Sequence, residues 1–382
     1  MRGVHYSPVA AINARAPLQS HSSDVTLRFA PMKSYRLTAF KNPLELHTGP
    51  IPEPKDREVL LKVSAAGICH SDIHIWEGGY NIGNGKMYSI MDKGGIALPL
   101  TMGHEVAGVA LKAGSESAPV TLGRQYLVFP WIGCGQCATC AAGDEHLCNK
   151  SRSLGIYQDG GFADHILVPD ARYLLELDGL DPVTTAPYAC SGLTAFSALK
   201  KAGDIIHSEP IAVIGAGGLG LMSIGLLKAL GGKGAVVVDI DEEKRRAALA
   251  AGAIAAVDGR AGDASSQIAR AAGVRPRFVV DFVGSESSTA LAFNAVAKGG
   301  KIVIVGLFGG AAPWSLPMIP LKSVTIQGSY VGNLAELKEL VDLVRSKQVP
   351  PIPIARAPLE RADQMLGSLR EGKVVGRVVL TP

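Results

Sequence analysis

The six cysteines of this 382-residue chain divide into a cluster of four and a separated pair. The cluster contains two C-x2-C steps followed by a fourth thiol, and its members are Cys134, Cys137, Cys140 and Cys148. Thiols this close in sequence seldom reach disulfide geometry, whereas four of them suit one tetrahedral metal ion. The spacing therefore predicts a structural zinc site that has no open coordination position and no catalytic role.

The separated pair lies in two different sequence settings. Cys69 stands in Gly-Ile-Cys-His-Ser-Asp-Ile-His, and Cys190 stands in Ala-Pro-Tyr-Ala-Cys-Ser-Gly. His104, in Gly-His-Glu, is a third candidate ligand between them. A lone cysteine is usually a small buried apolar residue, and a lone histidine near a strand is usually structural. Taken singly, these residues leave both interpretations open.

Size and charge limit the classes of protein to which the chain can belong. Its length suggests two domains, and 47% hydrophobic residues are typical of a globular protein. The net charge of +4, from 38 basic and 34 acidic residues, gives no case for nucleic acid or a charged membrane as partner. We find no secretory signal, so reduced thiols and a cytoplasmic location are expected.

The hydrophobic pattern changes along the chain. Residues 1–31 carry three arginines and no acid before Asp24, which weakly resembles a transit peptide. The favoured interpretation is a disordered N-terminal extension, with Met32 as the functional start. Short β-type runs broken by Gly and Pro follow until about Cys190, and the 81–93 segment is predicted to be a surface loop near the pocket mouth or at a subunit contact. Strands then alternate with helices, which indicates an α/β fold with a doubly wound parallel sheet.

A glycine-rich turn lies between an apolar strand and a helix in this second part. The sequence is Gly215-Ala-Gly-Gly-Leu-Gly220, and Asp239 ends the next strand. Such a turn lets the backbone approach a pyrophosphate, and the acid can accept the ribose hydroxyls of NAD. Asp239 could instead cap the following helix, and Arg245 and Arg246 keep NADP open. The predicted cofactor-binding residues are Gly215, Gly217, Gly218, Leu219, Gly220 and Asp239.

Six motifs in order resemble those of the zinc-containing alcohol dehydrogenases of the medium-chain dehydrogenase/reductase superfamily. They are Gly-Ile-Cys-His-Ser-Asp, Gly-His-Glu, the four-cysteine cluster, Ala-Pro-x-x-Cys-Ser-Gly, Gly-Ala-Gly-Gly-Leu-Gly and Gly-Ser-Tyr-Val-Gly-Asn. The resemblance runs from about Met32 to the C-terminus and is nearest to the tetrameric microbial branch. It implies a GroES-like β-rich catalytic domain (32–190 and 331–382, with a zinc lobe near 131–150) and a Rossmann coenzyme domain (191–330).

The resemblance also implies roles for residues around a catalytic zinc, giving two zinc ions per subunit. Cys69, His104 and Cys190 would bind this ion, with Glu105 as a transient ligand and Asp72 orienting His104. Ser71 and His74 would carry the substrate proton to solvent. His70 and Arg377 match positions that face the cofactor phosphates.

The expected function is an NAD-dependent, zinc-dependent oxidation of a primary or secondary alcohol to an aldehyde or ketone. Large side chains predicted to line the substrate cleft favour aliphatic or aromatic alcohols; they are Trp76, Trp131, Leu307 and Phe308. The first alternative is a polyol dehydrogenase on the same fold. The second, from a different class, is a non-catalytic binding protein. The expected partners are a small-molecule substrate and further copies of the chain, with a tetramer favoured over a dimer.

Overall fold

The structure is a computed structural model that describes Met1, Gly3 and residues 31–91, 95–312, 314–347 and 349–382. The predicted N-terminal extension therefore lies outside the described residues, apart from Met1, Gly3 and Pro31. Residues 92–94 of the predicted surface loop also lie outside them. Pro31–Pro382 form one unit, which the following paragraphs describe.

Strands dominate the first part of this unit. Its elements are β1 (Met32–Leu37), β2 (Glu45–Gly49), β3 (Val59–Ile68), α1 (His70–Glu77), β4 (Gly79–Asn81), β5 (Met87–Ser89), β6 (Leu100–Thr101), β7 (Glu105–Ala113), β8 (Gln125–Val128), α2 (Ala138–Ala141), β9 (His165–Val168), β10 (Leu174–Glu176), α3 (Pro182–Thr185), α4 (Ser191–Lys200) and α5 (Ile205–Ser208). Short 3-10 turns lie at Glu145–Leu147, Ala171–Tyr173 and Ala186–Ala189.

Strands and helices alternate in the second part. Its elements are β11 (Ile211–Ile214), α6 (Gly218–Ala229), β12 (Ala235–Asp239), α7 (Glu242–Ala250), β13 (Ala255–Asp258), α8 (Ala264–Ala272), β14 (Phe278–Asp281), α9 (Glu286–Ala295), β15 (Lys301–Ile304), α10 (Met318–Lys322), β16 (Thr325–Gly328), α11 (Leu334–Lys347), β17 (Ile354–Pro358), a 3-10 turn (Leu359–Arg361), α12 (Ala362–Arg370) and β18 (Arg377–Thr381).

The β-rich part is built around a seven-stranded sheet. Its strands run in the order β10-β8-β7-β3-β18-β17, and β9 also pairs with β3. The central strand β3 is almost entirely buried because it has neighbours on both edges and apolar side chains over most of its length. Two smaller sheets, β2-β1-β6 and the hairpin β4-β5, flank it. The C-terminal strand β18 thus returns to pair with β3.

The second sheet has six parallel strands in the order β13-β12-β11-β14-β15-β16. Its central strands β11 and β14 are buried throughout, as expected where helices cover both faces of a parallel sheet. The strand order reverses between β11 and β14, and dinucleotides bind at such a switch point. The predicted fold, a GroES-like part with a Rossmann sheet, is confirmed.

Helix α11 follows the parallel sheet and packs against α4 and α6. The sequence analysis assigned α11 to the catalytic domain, because it lies beyond residue 331, whereas α4 and α6 belong to the predicted coenzyme domain. The domain boundaries at 190 and 331 therefore remain a prediction. Among the described helices, none is both long enough and apolar enough to cross a lipid bilayer.

Candidate active site and metal centres

Three separate elements carry the two isolated cysteines and the histidine. Cys69 follows β3 and caps α1, His104 directly precedes β7, and Cys190 caps α4. Strands β3 and β7 are antiparallel and pair Gly67 with Glu105, so the end of one strand meets the start of the other. The pairing of these strands brings Cys69 and His104 together.

The ligand atoms of these three residues fit one metal ion. They all lie within 4.8 Å of one another, and all three residues are buried. The sulfurs of Cys69 and Cys190 are 3.8 Å apart. Two sulfurs that each lie 2.3 Å from a tetrahedral zinc ion would be separated by about 3.8 Å. His104 Nε2 is buried without a hydrogen-bond partner among the described residues, as an unfilled metal ligand would be. The set therefore fits zinc with one coordination position left for another ligand.

Asp72 contacts two of these candidate ligands. Its carboxylate accepts a hydrogen bond from the Cys69 backbone N–H at 2.8 Å. Its other oxygen lies 3.2 Å from His104 Nδ1, and both side chains are fully buried. A carboxylate on Nδ1 leaves Nε2 to face a metal. The structure thus gives Asp72 the contact that its predicted role requires.

The electrostatics of the thiol pair suit a divalent cation. The Cys190 thiol is hydrogen-bonded to Cys69 and lowers the pKa of Cys69 well below its usual range, an effect that burial opposes and Arg377 and His104 reinforce. The same bond, with burial, raises the pKa of Cys190. The direction of the shift at Cys69 favours the thiolate, which is the form that binds a metal.

Glu105 and Arg377 form a buried ion pair beside the candidate metal ligands. Glu105 Oε1 also accepts a hydrogen bond from the Ser191 backbone N–H at 3.1 Å, while Oε2 has no hydrogen-bond partner among the described residues. Burial raises the pKa of Glu105, and the charge of Arg377 opposes that rise. A Cβ at Gly67 would collide with Oε2. The glycine on β3 therefore leaves the space that this carboxylate occupies.

Helix α1 carries the predicted proton-relay residues. Ser71 is half-buried in its first turn, and His74 lies buried one turn later. His74 Nδ1 lies 3.8 Å from the Glu77 carboxylate. Burial lowers the pKa of His74, and the negative charge of Glu77 opposes this. His74 is therefore neutral near pH 7 and can accept a proton.

The glycine-rich turn has the geometry of a phosphate-binding loop. Gly215 has a positive φ of 96°, and a Cβ at Gly220 would collide with the Gly215 carbonyl. A Cβ at Gly217 would meet nothing within 4 Å, so the start of α6 is open to a ligand. These features fit a pyrophosphate at the helix N-terminus.

Asp239 lies beside this turn at the end of β12. Its carboxylate accepts hydrogen bonds from the backbone N–H groups of Ala216 (2.7 Å) and Asp241 (2.9 Å). Asp241, not Asp239, caps α7, which removes the capping alternative for Asp239. Arg245 donates to the Asp239 carbonyl oxygen at 2.9 Å, and Arg246 pairs with Glu242. Arg245 and Arg246, the two arginines that could have bound the 2′-phosphate of NADP, thus both have partners within the protein.

The four-cysteine cluster is the second candidate metal centre. Its sulfur–sulfur distances are 3.5 Å for Cys137–Cys140, 3.8 Å for Cys137–Cys148 and 4.0 Å for Cys134–Cys140. These values match the edges of a zinc–thiolate tetrahedron. Backbone N–H groups of Gln136 and Cys137 lower the pKa of Cys134 to about 6. The cluster fits a closed structural zinc site.

Glu145 fastens this zinc lobe to the β-rich sheet. It is buried and accepts hydrogen bonds from the Gly133 backbone N–H (3.1 Å) and the Tyr173 hydroxyl (2.7 Å), and it pairs with Arg172 at 3.0 Å.

We expect Tyr173→Phe to destabilise the lobe by about 1.5–3 kcal/mol, because a hydrogen bond to a buried carboxylate is lost. A zinc-release assay with a chromogenic chelator measures the effect as faster loss of one zinc ion.

Tyr126→Phe is the matched control for that prediction. It also removes a hydroxyl with a backbone partner, Thr121, but it lies outside the lobe. Equal rates of zinc release in the two variants would contradict the anchoring role of Tyr173.

The four predicted pocket residues lie in different places. Trp131 is buried, with its ring centroid 5.4 Å from that of His104 and its indole N–H donating to Ala189. Trp76 lies at a cavity of about 270 Å³ between α1 and α12, with Arg370 over its ring. Leu307 and Phe308 follow β15 and are exposed. The structure thus brings Trp131 to the metal ligands and places Trp76 against α12.

Two side chains near the metal centre were missed by the sequence analysis. The Tyr80 ring lies 4.8 Å from the His74 ring, and the Tyr330 ring lies 5.9 Å from the Trp131 ring. The motif Gly-Ser-Tyr-Val-Gly-Asn contained Tyr330, but no spacing rule gave it a role. A third missed residue, Lys244, lies close enough to His70 that its charge contributes to lowering the pKa of His70, after the larger effect of lost hydration.

Known proteins share both parts of this architecture. A family model described as an alcohol dehydrogenase GroES-like domain matches residues 55–178, and one described as a zinc-binding dehydrogenase matches residues 218–346. The NAD-dependent alcohol dehydrogenase of Sulfurisphaera tokodaii is 39% identical over 353 residues, which are 92% of this chain and 100% of that protein. The D-arabinose 1-dehydrogenase (NADP(+)) of Saccharolobus solfataricus is 32% identical over 92% of this chain and 97% of that protein.

A solved structure agrees with these relatives. The alcohol dehydrogenase of Aeropyrum pernix superposes with a TM-score of 0.82 at 30% identity, covering 92% of this chain and 100% of that protein. The chain therefore belongs to the zinc-containing alcohol dehydrogenases of the medium-chain dehydrogenase/reductase superfamily, as the sequence motifs predicted.

Proposed function

We propose that the protein is an alcohol dehydrogenase that uses zinc and NAD to interconvert a primary or secondary alcohol with its aldehyde or ketone. One observation carries this proposal. Arg377 bridges the two sites, because its guanidinium pairs with Glu105, which directly follows His104, and its side chain packs on Gly218 at the start of α6. The open metal centre and the dinucleotide turn are therefore neighbours, as hydride transfer between their ligands requires.

The metal ligands would be Cys69, His104 and Cys190. A zinc ion held by them supplies a Lewis acid that lowers the pKa of a bound alcohol. Asp72 fixes the orientation of His104 and of the Cys69 backbone through the contacts described above. Glu105 neutralises Arg377 at the rear of the site, and its free oxygen makes it the candidate for a transient ligand.

Ser71 and His74 would move the substrate proton. Ser71 stands two residues after a metal ligand, so its hydroxyl can accept the proton of an alcohol bound at the open position. His74 is neutral at physiological pH and lies one helical turn further, so it would accept the proton from the Ser71 side of the site and release it to solvent. Glu77 at 3.8 Å stabilises the protonated imidazole.

The remaining ligand contacts follow from the dinucleotide turn. Gly215, Gly217, Gly218, Leu219 and Gly220 would hold the pyrophosphate, with His70 and Arg377 facing the phosphates. Trp131 would line the inner end of the substrate cleft. Leu307 and Phe308 would line its outer end. Trp76 lies on the side of α1 that faces α12, where Arg370 covers its ring.

An absorbance assay for NADH tests the proposed reaction. The protein is supplied with NAD or NADP and with aliphatic, benzylic, secondary and polyhydroxy alcohols. The proposal expects NAD reduction with simple alcohols. The D-arabinose relative makes a polyol dehydrogenase the second candidate. Turnover confined to sugars and polyols would favour that candidate, and no turnover with any alcohol would overturn both.

Asp239 is predicted to set the choice of cofactor. We expect Asp239→Asn to lower the kcat/KM ratio of NAD over NADP about 10- to 100-fold, because the variant loses a charged acceptor for the ribose hydroxyls and the repulsion of a 2′-phosphate. Steady-state kinetics with both cofactors measure this ratio. Asp263→Asn, an exposed acid that precedes α8, should leave it unchanged. An unchanged ratio in Asp239→Asn would remove Asp239 from the cofactor site.

We further propose that the protein is a homo-oligomer, with a tetramer favoured. The edge strand β16 and the neighbouring helix α10, which buries none of its residues, support a subunit contact. Leu316 and Leu321 in this region are 76% and 64% exposed. Light scattering gives the mass in solution.

All six cysteines are free thiols, which supports the proposed cytoplasmic location.

A further inference from the structure

Tyrosine side chains lie near the candidate metal ligands and the proposed relay. Tyr80 lies on β4 and packs its ring on His74, with ring centroids 4.8 Å apart. Tyr330 follows β16 and packs edge-on against Trp131 at 5.9 Å, and Trp131 in turn lies 5.4 Å from His104. Tyr80 therefore packs directly on a residue of the proposed active site, whereas Tyr330 is separated from His104 by the ring of Trp131. The two tyrosines come from different parts of the chain.

Tyr157 completes this group, which we term the tyrosine rim (Tyr80, Tyr157 and Tyr330). Tyr157 lies in a turn that packs beside His104, because a Cβ at Gly155 in this turn would meet the backbone of the neighbouring Gly103. After the larger effect of burial, Tyr157 contributes to raising the pKa of both Tyr80 and Tyr330. The turn thus brings Tyr157 to the same part of the molecule as the other two tyrosines.

The rim remains accessible to a ligand. Tyr157 is 41% and Tyr330 is 48% exposed, whereas the metal ligands behind them are buried. Among the hydrogen bonds between described residues, none uses the hydroxyl of a rim tyrosine. The Tyr173 hydroxyl, by contrast, is bound to Glu145. The rim hydroxyls are therefore available to bind a substrate.

These hydroxyls are neutral. Burial raises the pKa of Tyr80 to about 12, and burial also raises the pKa of Tyr157 and Tyr330. A protonated phenol both donates and accepts a hydrogen bond, and its ring offers an apolar face. Such a rim fits a neutral substrate group that is itself a hydrogen-bonding partner.

We propose that the tyrosine rim selects alcohols that carry a second neutral hydrogen-bonding group, such as a hydroxyl, remote from the reacting carbon. This inference rests on the proposed alcohol dehydrogenase function and deepens it. The reacting hydroxyl would lie at the metal beside Trp131, and the far end of the substrate would reach the rim. Hydroxyl-bearing tyrosines discriminate more strongly than an apolar wall, because a substrate without the second group leaves desolvated hydroxyls unpaired.

The hairpin that carries Tyr80 is fixed by contacts outside the β-rich sheet. The Gly310 backbone N–H, on the loop after β15, donates to the Asn81 carbonyl oxygen at 3.1 Å. Tyr80 is also the cross-strand partner of Tyr88. The position of Tyr80 is thus fixed by pairing with β5 and by the hydrogen bond at the neighbouring Asn81, as a specificity residue requires.

Matched substrates test the rim. 1,5-Pentanediol and 1-hexanol have the same number of non-hydrogen atoms. They differ at the end remote from the reacting carbon, where the diol has a hydroxyl and hexanol has a methyl group. We expect the triple variant Tyr80→Phe, Tyr157→Phe, Tyr330→Phe to lower the ratio of kcat/KM for the diol over that for hexanol about fivefold or more, from the loss of at least one neutral hydrogen bond. The three single variants show which hydroxyl contributes, and they carry the test if the triple variant does not fold.

Tyr35→Phe is the control, since Tyr35 lies on β1 and should leave both rates unchanged. Zinc content per chain is measured for every variant. A ratio in the triple variant within about twofold of the parent, with both alcohols still oxidised, would overturn the rim alone. Failure of the unaltered protein to oxidise either alcohol with NAD would instead overturn the proposed function.

Discussion

Replacing His104 by Gln is expected to remove one of two zinc ions per chain and to reduce alcohol oxidation by about three orders of magnitude or more. The ring nitrogen that faces Cys69 and Cys190 is lost, and a site with two thiolates alone no longer holds a tetrahedral ion in place. Lewis-acid stabilisation of the alkoxide contributes several kcal/mol, and about 4 kcal/mol corresponds to a thousandfold in rate. Elemental analysis gives the zinc content, and NADH absorbance gives the turnover.

His165 provides a matched control for His104. It is also a buried histidine beside an aspartate, with Nδ1 at 2.8 Å from Asp164, but it lies on β9 and contacts no metal-binding cysteine. His165→Gln should keep both zinc ions and its turnover. If His104→Gln retained two zinc ions and full activity, the assignment of the open metal centre would be wrong.

Ser71→Ala is expected to lower turnover about 10²- to 10⁴-fold, the usual range for loss of a general acid–base group. Zinc content and NAD affinity should survive. The side-chain hydrogen bonds at Cys69 and at the glycine-rich turn are made by Asp72 and Asp239, and Ser71 takes part in neither. Stopped-flow measurement of the hydride-transfer step separates this effect from slow product release.

The pH dependence gives a second readout for the relay. The neutral form of His74 accepts the proton, and burial lowers the pKa of this residue, so its contribution to alcohol oxidation is present above that pKa and lost as the pH falls through it. Ser197→Ala, a buried serine on α4 bonded to Lys201, should leave both rate and pH profile unchanged. Equal hydride-transfer rates in Ser71→Ala and the parent would remove Ser71 from the relay.

The fold could be predicted because its signals are local. The Gly215–Gly220 turn lies directly between a strand and a helix, and the two C-x2-C steps bring thiols together within one lobe. The grouping of Cys69, His104 and Cys190 needed the family resemblance, since no spacing rule joins residues so far apart in the chain. The structure places the three together, and their catalytic role remains to be tested by the variants above.

The substrate cleft was harder to predict because its walls come from several elements. Tyr80, Tyr157 and Tyr330 lie on a hairpin, a loop and the segment after β16, so only the tertiary fold makes them neighbours. Trp76 shows the converse difficulty. It follows His74 by two residues, which is about 200° around a helix, so the two side chains leave α1 in nearly opposite directions. Trp76 accordingly lies toward α12.

The space left by Gly67 has a consequence for how the metal is bound. Because β3 has no side chain there, the Glu105 carboxylate fits against the strand and connects Arg377 with the first turn of α4, where Cys190 stands. The ligands are thus ordered when the sheet folds, and their conformational entropy is lost at that stage. We therefore expect zinc to leave and return without refolding of the chain, because the contacts that order its candidate ligands are made by the protein itself.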